Sequence, residues 1–350
     1  MKRHSVVFCL AFMSVCAWIA VQANAQDAKD AQDPSIKAAR GHAATAKALA
    51  YEPGQDLTEV YDSLCRPALS AKGPVEPPLQ VAPSLADRKV PPRKEWYTEP
   101  VQAFDNLYYI GSTQDSTWAV KTSEGIIVVD TGNDYSIKEL SDGLKKFKLD
   151  PAQIKYAVLS HAHGDRYFGA KFLQDTYHTH ILMSAADWDV LVKSNEPNEI
   201  KPKKDMVITD GQKLTLGDTT ITLYLTPGHT PGTVSTIIPL KDGNVSHVGV
   251  IWGGMAPSFE RYGVRYYSSL PETLSTWISS LKHFQEIADN AHADVYLAIH
   301  PHYDKTIDKL HAIGFRKPGG AHPFVDKNVV DRFLTIMREC TEAQLARIKS

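Results

Sequence analysis

Between Tyr156 and Gly169 an apolar run breaks into two histidines and an aspartate, and this break constrains the chain more than any other stretch. Tyr156 to Leu159 reads as a buried strand, and residues two apart at a strand end point the same way. His161 and His163 can therefore offer two imidazoles to one cation, with the Asp165 carboxylate beside them. Neutral imidazole and carboxylate suit Zn²⁺, and a site with fewer than four protein ligands keeps a place for water. In a chain with 14 histidines the bland alternative is a surface loop in which the spacing arises by chance.

Two further histidines weigh against chance. His229 sits in the Pro- and Gly-rich stretch 226–232, after the strand-like run 220–225, and His300 ends the apolar run 294–299 just before Pro301. Ligand candidates at the mouths of several strands are what a metal site on the rim of a sheet requires.

With these motifs in place, the chain resembles the metallo-β-lactamase-fold hydrolases from about Trp96 onward. The similarity rests on the His-x-His-x-Asp run at 161–165, the Pro-Gly-His-Thr-x-Gly run at 227–232, the His-Pro pair at 300–301 and the opening strands 106–111, 118–120 and 125–132. Subclass B3 is the most similar, because no cysteine lies between His229 and His300. The resemblance implies an α/β fold, a four-layer αβ/βα sandwich with an N-terminal extension. It implies a first zinc on His161, His163 and His229, and a second near Asp165 and His300. Asp130 would support the metal loop through hydrogen bonds, with a simple turn cap as the alternative.

One residue departs from the pattern. Arg166 stands where that subclass usually has a histidine for the second zinc, and a guanidinium has no lone pair to donate. The expectation is one tight zinc and a second that is weak or absent; His302 and Glu260 are possible substitutes between which spacing does not choose. Arg166 either grips a substrate carboxylate or, preferably, braces the loop through a salt bridge.

The function expected is that of an exported zinc-dependent hydrolase opening a β-lactam or related cyclic amide. Zinc-bound hydroxide would attack the carbonyl while Asp165 orients the water or takes its proton. Hydrolysis of another ester, lactone or amide on the same metal is one alternative; a non-catalytic zinc- or partner-binding relative is another. The aromatic stretches 252–258 and 262–267 suggest a groove without naming its substrate. Ser279 and Lys282 fit Ser-x-x-Lys, but they lie in a helical pattern without the companion motifs.

Lys2, Arg3 and His4, an apolar core from Ser5 to Val21, and Ala23 and Ala25 flanking Asn24 form a cleavable export signal over residues 1–25. A periplasmic or secreted location with no stable membrane anchor follows. Cys9 and Cys16 leave with it, so Cys65 and Cys340 are expected to pair in an oxidising compartment, two buried thiols being the alternative. Residues 26–95 read as an extension, helical or loose to about 50, then a proline-rich strap from Pro67 to Pro92; the catalytic domain spans 96–350. A formal charge of −2 excludes a strongly basic surface, so a small-molecule substrate is expected and nucleic acid is not. Nothing in the sequence fixes an oligomeric state.

Runs rich in β-branched and aromatic residues predict strands at 107–111, 117–122 and 126–130, and further strand-like runs lie at 154–159, 206–208, 213–216, 220–225, 233–239, 245–252 and 294–299. Helices are predicted over 136–148, after Gly169, from a capping box at Ser184 and Asp187 to about Val192, over 272–289 and from about 326. His178 and His180 repeat the His-x-His spacing without a following carboxylate and read as surface residues.

Overall fold

A computed structural model describes residues 33–54, 57–70 and 88–348. The expected export signal and most of the expected strap (residues 71–87) lie outside the described residues.

Strands β1 (Val101–Phe104), β2 (Leu107–Tyr109), β3 (Trp118–Lys121), β4 (Ile126–Val129), β5 (Ile154–Val158), β6 (His180–Ser184) and β7 (Met206–Ile208) lie side by side in chain order. The first four pair antiparallel through short turns; β4 to β7 run parallel. Parallel neighbours need crossovers, supplied by the helices Ile137–Lys146, Ala170–Tyr177 and Ala185–Lys193. The second sheet contains β8 (Gln212–Leu216), β9 (Thr219–Leu225), β10 (Val234–Asp242) and β11 (Val245–Ile251). After a small ribbon of β12 (Glu260–Arg261) and β13 (Val264–Arg265) the chain returns through the helix Leu270–Asn290, and β14 (Val295–Tyr296) pairs parallel with β11.

The two-residue period of a strand decides which face meets which layer. Leu107, Tyr109, Val120, Ile127 and Val129 join Leu214, Ile221, Leu223, Val234 and Leu240 of the other sheet in one core. Their neighbours Tyr108, Ala119, Ile126 and Val128 pack instead with Leu140, Leu144, Leu173 and Trp188 of the crossover helices. Two sheets face each other with helices outside, the predicted four-layer sandwich.

Two local expectations need correction. The predicted strand 294–299 forms regular pairing at Val295 and Tyr296 alone, although the Leu297 N–H still reaches the Val250 carbonyl at 2.9 Å. Pro67 does not begin an extended strap, since the helix Thr58–Ser70 runs through it. Of the two alternatives for residues 26 to about 50, the structure has the helical one over Pro34–Ala50, and this helix presents Ala39, Ala43, Ala46 and Ala50 as a stripe of small side chains. Those alanines lie in the same core as Phe333, Met337 and Ala343 of the terminal helix Val329–Ile348, and Cys65 is bonded to Cys340. Exposed His178 and His180 stand apart from the metal-ligand candidates, as expected.

Candidate metal centre

His161 and His163 follow β5 as it leaves the sheet, and a four-residue helix, Gly164–Tyr167, starts at once and turns Asp165 and Arg166 back toward the strand ends. Sequence reasoning missed this short helix, which the tight packing at Gly164 explains: a Cβ there would meet the Phe168 ring at 2.9 Å or less. His229 arrives from the turn between β9 and β10.

The three imidazoles converge. His229 Nε2 lies 3.2 Å from His161 Nε2 and 3.0 Å from His163 Nδ1. The outward-facing nitrogens fix the tautomers, because a carbonyl oxygen can only accept. His161 Nδ1 donates to the Gly253 carbonyl at 2.7 Å and His229 Nδ1 to the Ala256 carbonyl at 2.6 Å. The facing Nε2 atoms of these two neutral rings therefore carry lone pairs. His163 is anchored through Nε2 to the Tyr266 hydroxyl at 3.0 Å. Burial keeps all three rings neutral: it pulls His161 and His163 well below the usual imidazole value and His229 down to about 4. Unprotonated nitrogens held this close repel one another unless a cation sits among them. The donor set fits zinc, and the carbonyl contacts are the outer hydrogen bonds that orient metal-binding histidines.

Asp187 locks the two ligand loops together. Its carboxylate accepts from the Ala162 N–H at 2.8 Å, the Gly232 N–H at 2.8 Å and the Thr230 hydroxyl at 2.7 Å. Burial raises its carboxyl to about 6 against these donors, leaving it ionised at neutral pH. Sequence reasoning assigned Asp187 to a capping box; Ser184 does cap the helix through the Asp187 N–H, but the carboxylate reaches across to the histidine loops.

A second cluster groups Asp165 and His300 with Asp115, whose polar turn between β2 and β3 gave no sequence signal. Glu260 and His302 belong to neither cluster among the described residues, although His302 lines the adjoining cavity. Arg166 is fully buried and pairs with Asp115 at 2.8 Å, Asp165 at 2.5 Å and Asp130 at 3.4 Å. Its guanidinium is 0% exposed, an arrangement that suits the preferred alternative, bracing of the loop, over a grip on a substrate carboxylate. Asp130, at φ 59°, accepts from the Ser160 N–H at 2.8 Å and hydroxyl at 2.9 Å and so holds the residue before His161.

A cavity of about 410 Å³ adjoins the centre, lined by Asp115, Asp165, His300 and His302 together with Phe168, Arg261 and Tyr262.

Comparison with known proteins agrees with this geometry. Residues 110–249 match the Metallo-beta-lactamase superfamily. A probable polyketide biosynthesis zinc-dependent hydrolase of Bacillus velezensis is 31% identical over 114 residues, 33% of this chain and 45% of that protein, so the match spans less than half of the relative. The subclass B3 metallo-β-lactamase of Bradyrhizobium japonicum superposes with a TM-score of 0.63 at 26% identity, covering 72% of this chain and 95% of that one. The native metallo-β-lactamase of Legionella gormanii gives a TM-score of 0.62 at 20% identity over 72% of this chain and 97% of that one, a likeness of fold. Residues 110–249 thus match the metallo-β-lactamase superfamily, and the structural neighbours of the chain are metallo-β-lactamases, the Bradyrhizobium japonicum protein being one of subclass B3.

Proposed function

We propose that this chain is an exported zinc-dependent hydrolase that opens a β-lactam or related cyclic amide, with one tight zinc held by His161, His163 and His229. The observation that carries this reading is the tautomer pattern: two rings donate outward to the Gly253 and Ala256 carbonyls, so their inner nitrogens are bare and face the third ring. When bound there, zinc supplies Lewis acidity to a carbonyl and lowers the pKa of water to about 7.

The chain's own groups do the rest. Asp165 lines the cavity, and its Oδ1 has no hydrogen-bond partner among the described residues, which leaves it available to orient a water that enters the centre and to accept its proton. Arg166 holds the other Asp165 oxygen through Nε at 3.1 Å and Nη2 at 2.5 Å, fixing the direction of Oδ1. Phe168 and Tyr262 provide apolar faces along the cavity, and Arg261 brings a fixed positive charge that suits a carboxylated substrate. The charged start, apolar core and Ala-x-Ala end of residues 1–25, with the Cys65–Cys340 bond, support export to an oxidising compartment.

The polyketide-biosynthesis relative favours a second reading, hydrolysis of another ester, lactone or amide on the same centre. Purified protein assayed against a chromogenic cephalosporin and a panel of aryl esters and lactones, with and without chelator, separates the two. Chelator-sensitive turnover of the lactam is expected. Chelator-sensitive turnover of esters alone selects the second reading, and no turnover of any substrate at full zinc occupancy refutes both.

A further inference from the structure

We propose that the Arg166 guanidinium is a built-in replacement for a second divalent cation, and that Asp115, Asp165 and His300 form a latent metal site which opens when that side chain is shortened. The proposal deepens the reading of the three-histidine centre and rests on it only in counting the first zinc.

Ligand atoms of Asp115, Asp165 and His300 all lie within 4.8 Å of one another, a spread that a cation with bonds of about 2.0–2.2 Å can bridge with small adjustments. One atom occupies that space. Arg166 Nη2 bonds Asp115 Oδ1 at 2.8 Å and Asp165 Oδ2 at 2.5 Å, so a single nitrogen bridges the two carboxylates, while His300 Nδ1 donates to the Gln114 carbonyl at 3.0 Å and leaves Nε2, 3.6 Å from Asp165 Oδ2, as the ring's ligand atom. The rest of the fork is committed as well: Nε bonds Asp165 at 3.1 Å, and Nη1 bonds the Ile299 carbonyl at 2.9 Å and lies 3.4 Å from Asp130.

Charge alone would admit a second ion, since three carboxylates surround one guanidinium. Space and permanence exclude it. Arg166 is 0% exposed, and a guanidinium does not lose its proton in a protein, so it can neither leave into water nor turn into a ligand. Shortening the side chain would strand three buried or part-buried carboxylates beside His300, an arrangement that strongly favours capture of a dication. Asp165 Oδ1, buried and unpaired, is a further oxygen ready for it. Asp115 is the new member, supplying from the turn between β2 and β3 the ligand that position 166 does not.

The test counts metal by mass spectrometry of elements after dialysis, on full-length protein purified in limiting and in excess zinc. Wild type should hold one zinc per chain in both. Arg166→His and Arg166→Ala should each rise to two, and adding Asp115→Asn to either should return the count to one. Arg166→Ala should also melt several degrees below wild type and recover with micromolar zinc or millimolar methylguanidinium, but not with sodium chloride at equal ionic strength. If Arg166→Ala fails to fold, Arg166→His, whose ring fills part of the space, carries the count. Two tightly held zincs in wild type overturn the proposal, and so does a variant that folds and still takes one. A wild type holding none refutes the three-histidine centre instead, while a gain of one zinc in the variants would still support the latent site.

Discussion

The Asp187 carboxylate accepts a 2.8 Å hydrogen bond from the backbone N–H of Ala162, the residue between the two histidines of the His-x-His pair. Because the same carboxylate also holds Thr230 and Gly232, it sets the distance between the loop bearing His161 and His163 and the loop bearing His229. Asp187→Ala leaves two buried backbone donors unpaired, at about 1–3 kcal/mol each. The expected outcome is a loss of at least about 2 kcal/mol in urea unfolding of metal-free protein and roughly 10–100-fold weaker zinc binding in chelator competition. Unchanged zinc affinity in a destabilised variant would reduce Asp187 to a purely structural role.

Gly232→Ala tests the same junction from the other side. A Cβ at this position would lie 2.7 Å from both the Asp187 nitrogen and its Oδ1, so the 229–232 turn must shift outward and carry His229 with it. Zinc affinity is expected to fall by about tenfold or more, in line with displacement of an outer support of the ligands. Gly41→Ala, on the helix Pro34–Ala50 where a Cβ meets nothing within 4 Å, serves as a control for the glycine substitution itself.

The histidine ligand candidates were legible in the sequence because strand ends have a period of two and the three histidine motifs each follow an apolar run. The sandwich was legible through short runs rich in apolar, β-branched and aromatic residues, such as 118–121 and 126–129. What escaped were partnerships made across the fold. Asp187 looked like a local helix cap, since three residues from Ser184 is a capping distance whatever else the carboxylate touches. Asp115 lies in a polar turn whose composition suits any turn, and Tyr266 was one aromatic among several. The segment to about residue 50 stayed open between helical and loose because Ala39, Ala43 and Ala46 offer little apolar area singly; their value appears once the terminal helix lies against them.

The Cys65–Cys340 bond closes a loop of 275 residues and ties the N-terminal helices to the terminal helix. Long closures restrict the unfolded chain most, and the chain-entropy account puts the gain at about 5 kcal/mol as an upper limit. Cys65→Ser with Cys340→Ser is expected to lose about 2–5 kcal/mol in denaturant unfolding while leaving zinc stoichiometry unchanged, because neither cysteine touches the histidine loops. Reduction of wild type should reproduce the loss, and intact mass before and after alkylation should report two newly accessible thiols.

Buried histidines give zinc binding an unusual pH dependence. Burial holds His229 at about 4 and His161 and His163 well below the ordinary 6.5, so the folded metal-free protein leaves His229 unprotonated from pH 6.5 to about 4 and resists protonation of the other two rings on the same side of 6.5. Unfolded chains protonate all three near pH 6.5. In that window the unfolded state binds more protons, so the stability of metal-free protein falls on acidification and rises again toward pH 6.5. Zinc meets no proton competition from His229 until the pH approaches 4, and competition from His161 and His163 is likewise pushed well below pH 6.5. Its affinity for folded protein should therefore change by less than about threefold between pH 7 and 5.5, whereas three rings with ordinary pKa values would lose about a thousandfold over the same interval. Chelator competition at the two pH values distinguishes these cases, and a loss near a thousandfold would mean that the three imidazoles are solvated rather than enclosed.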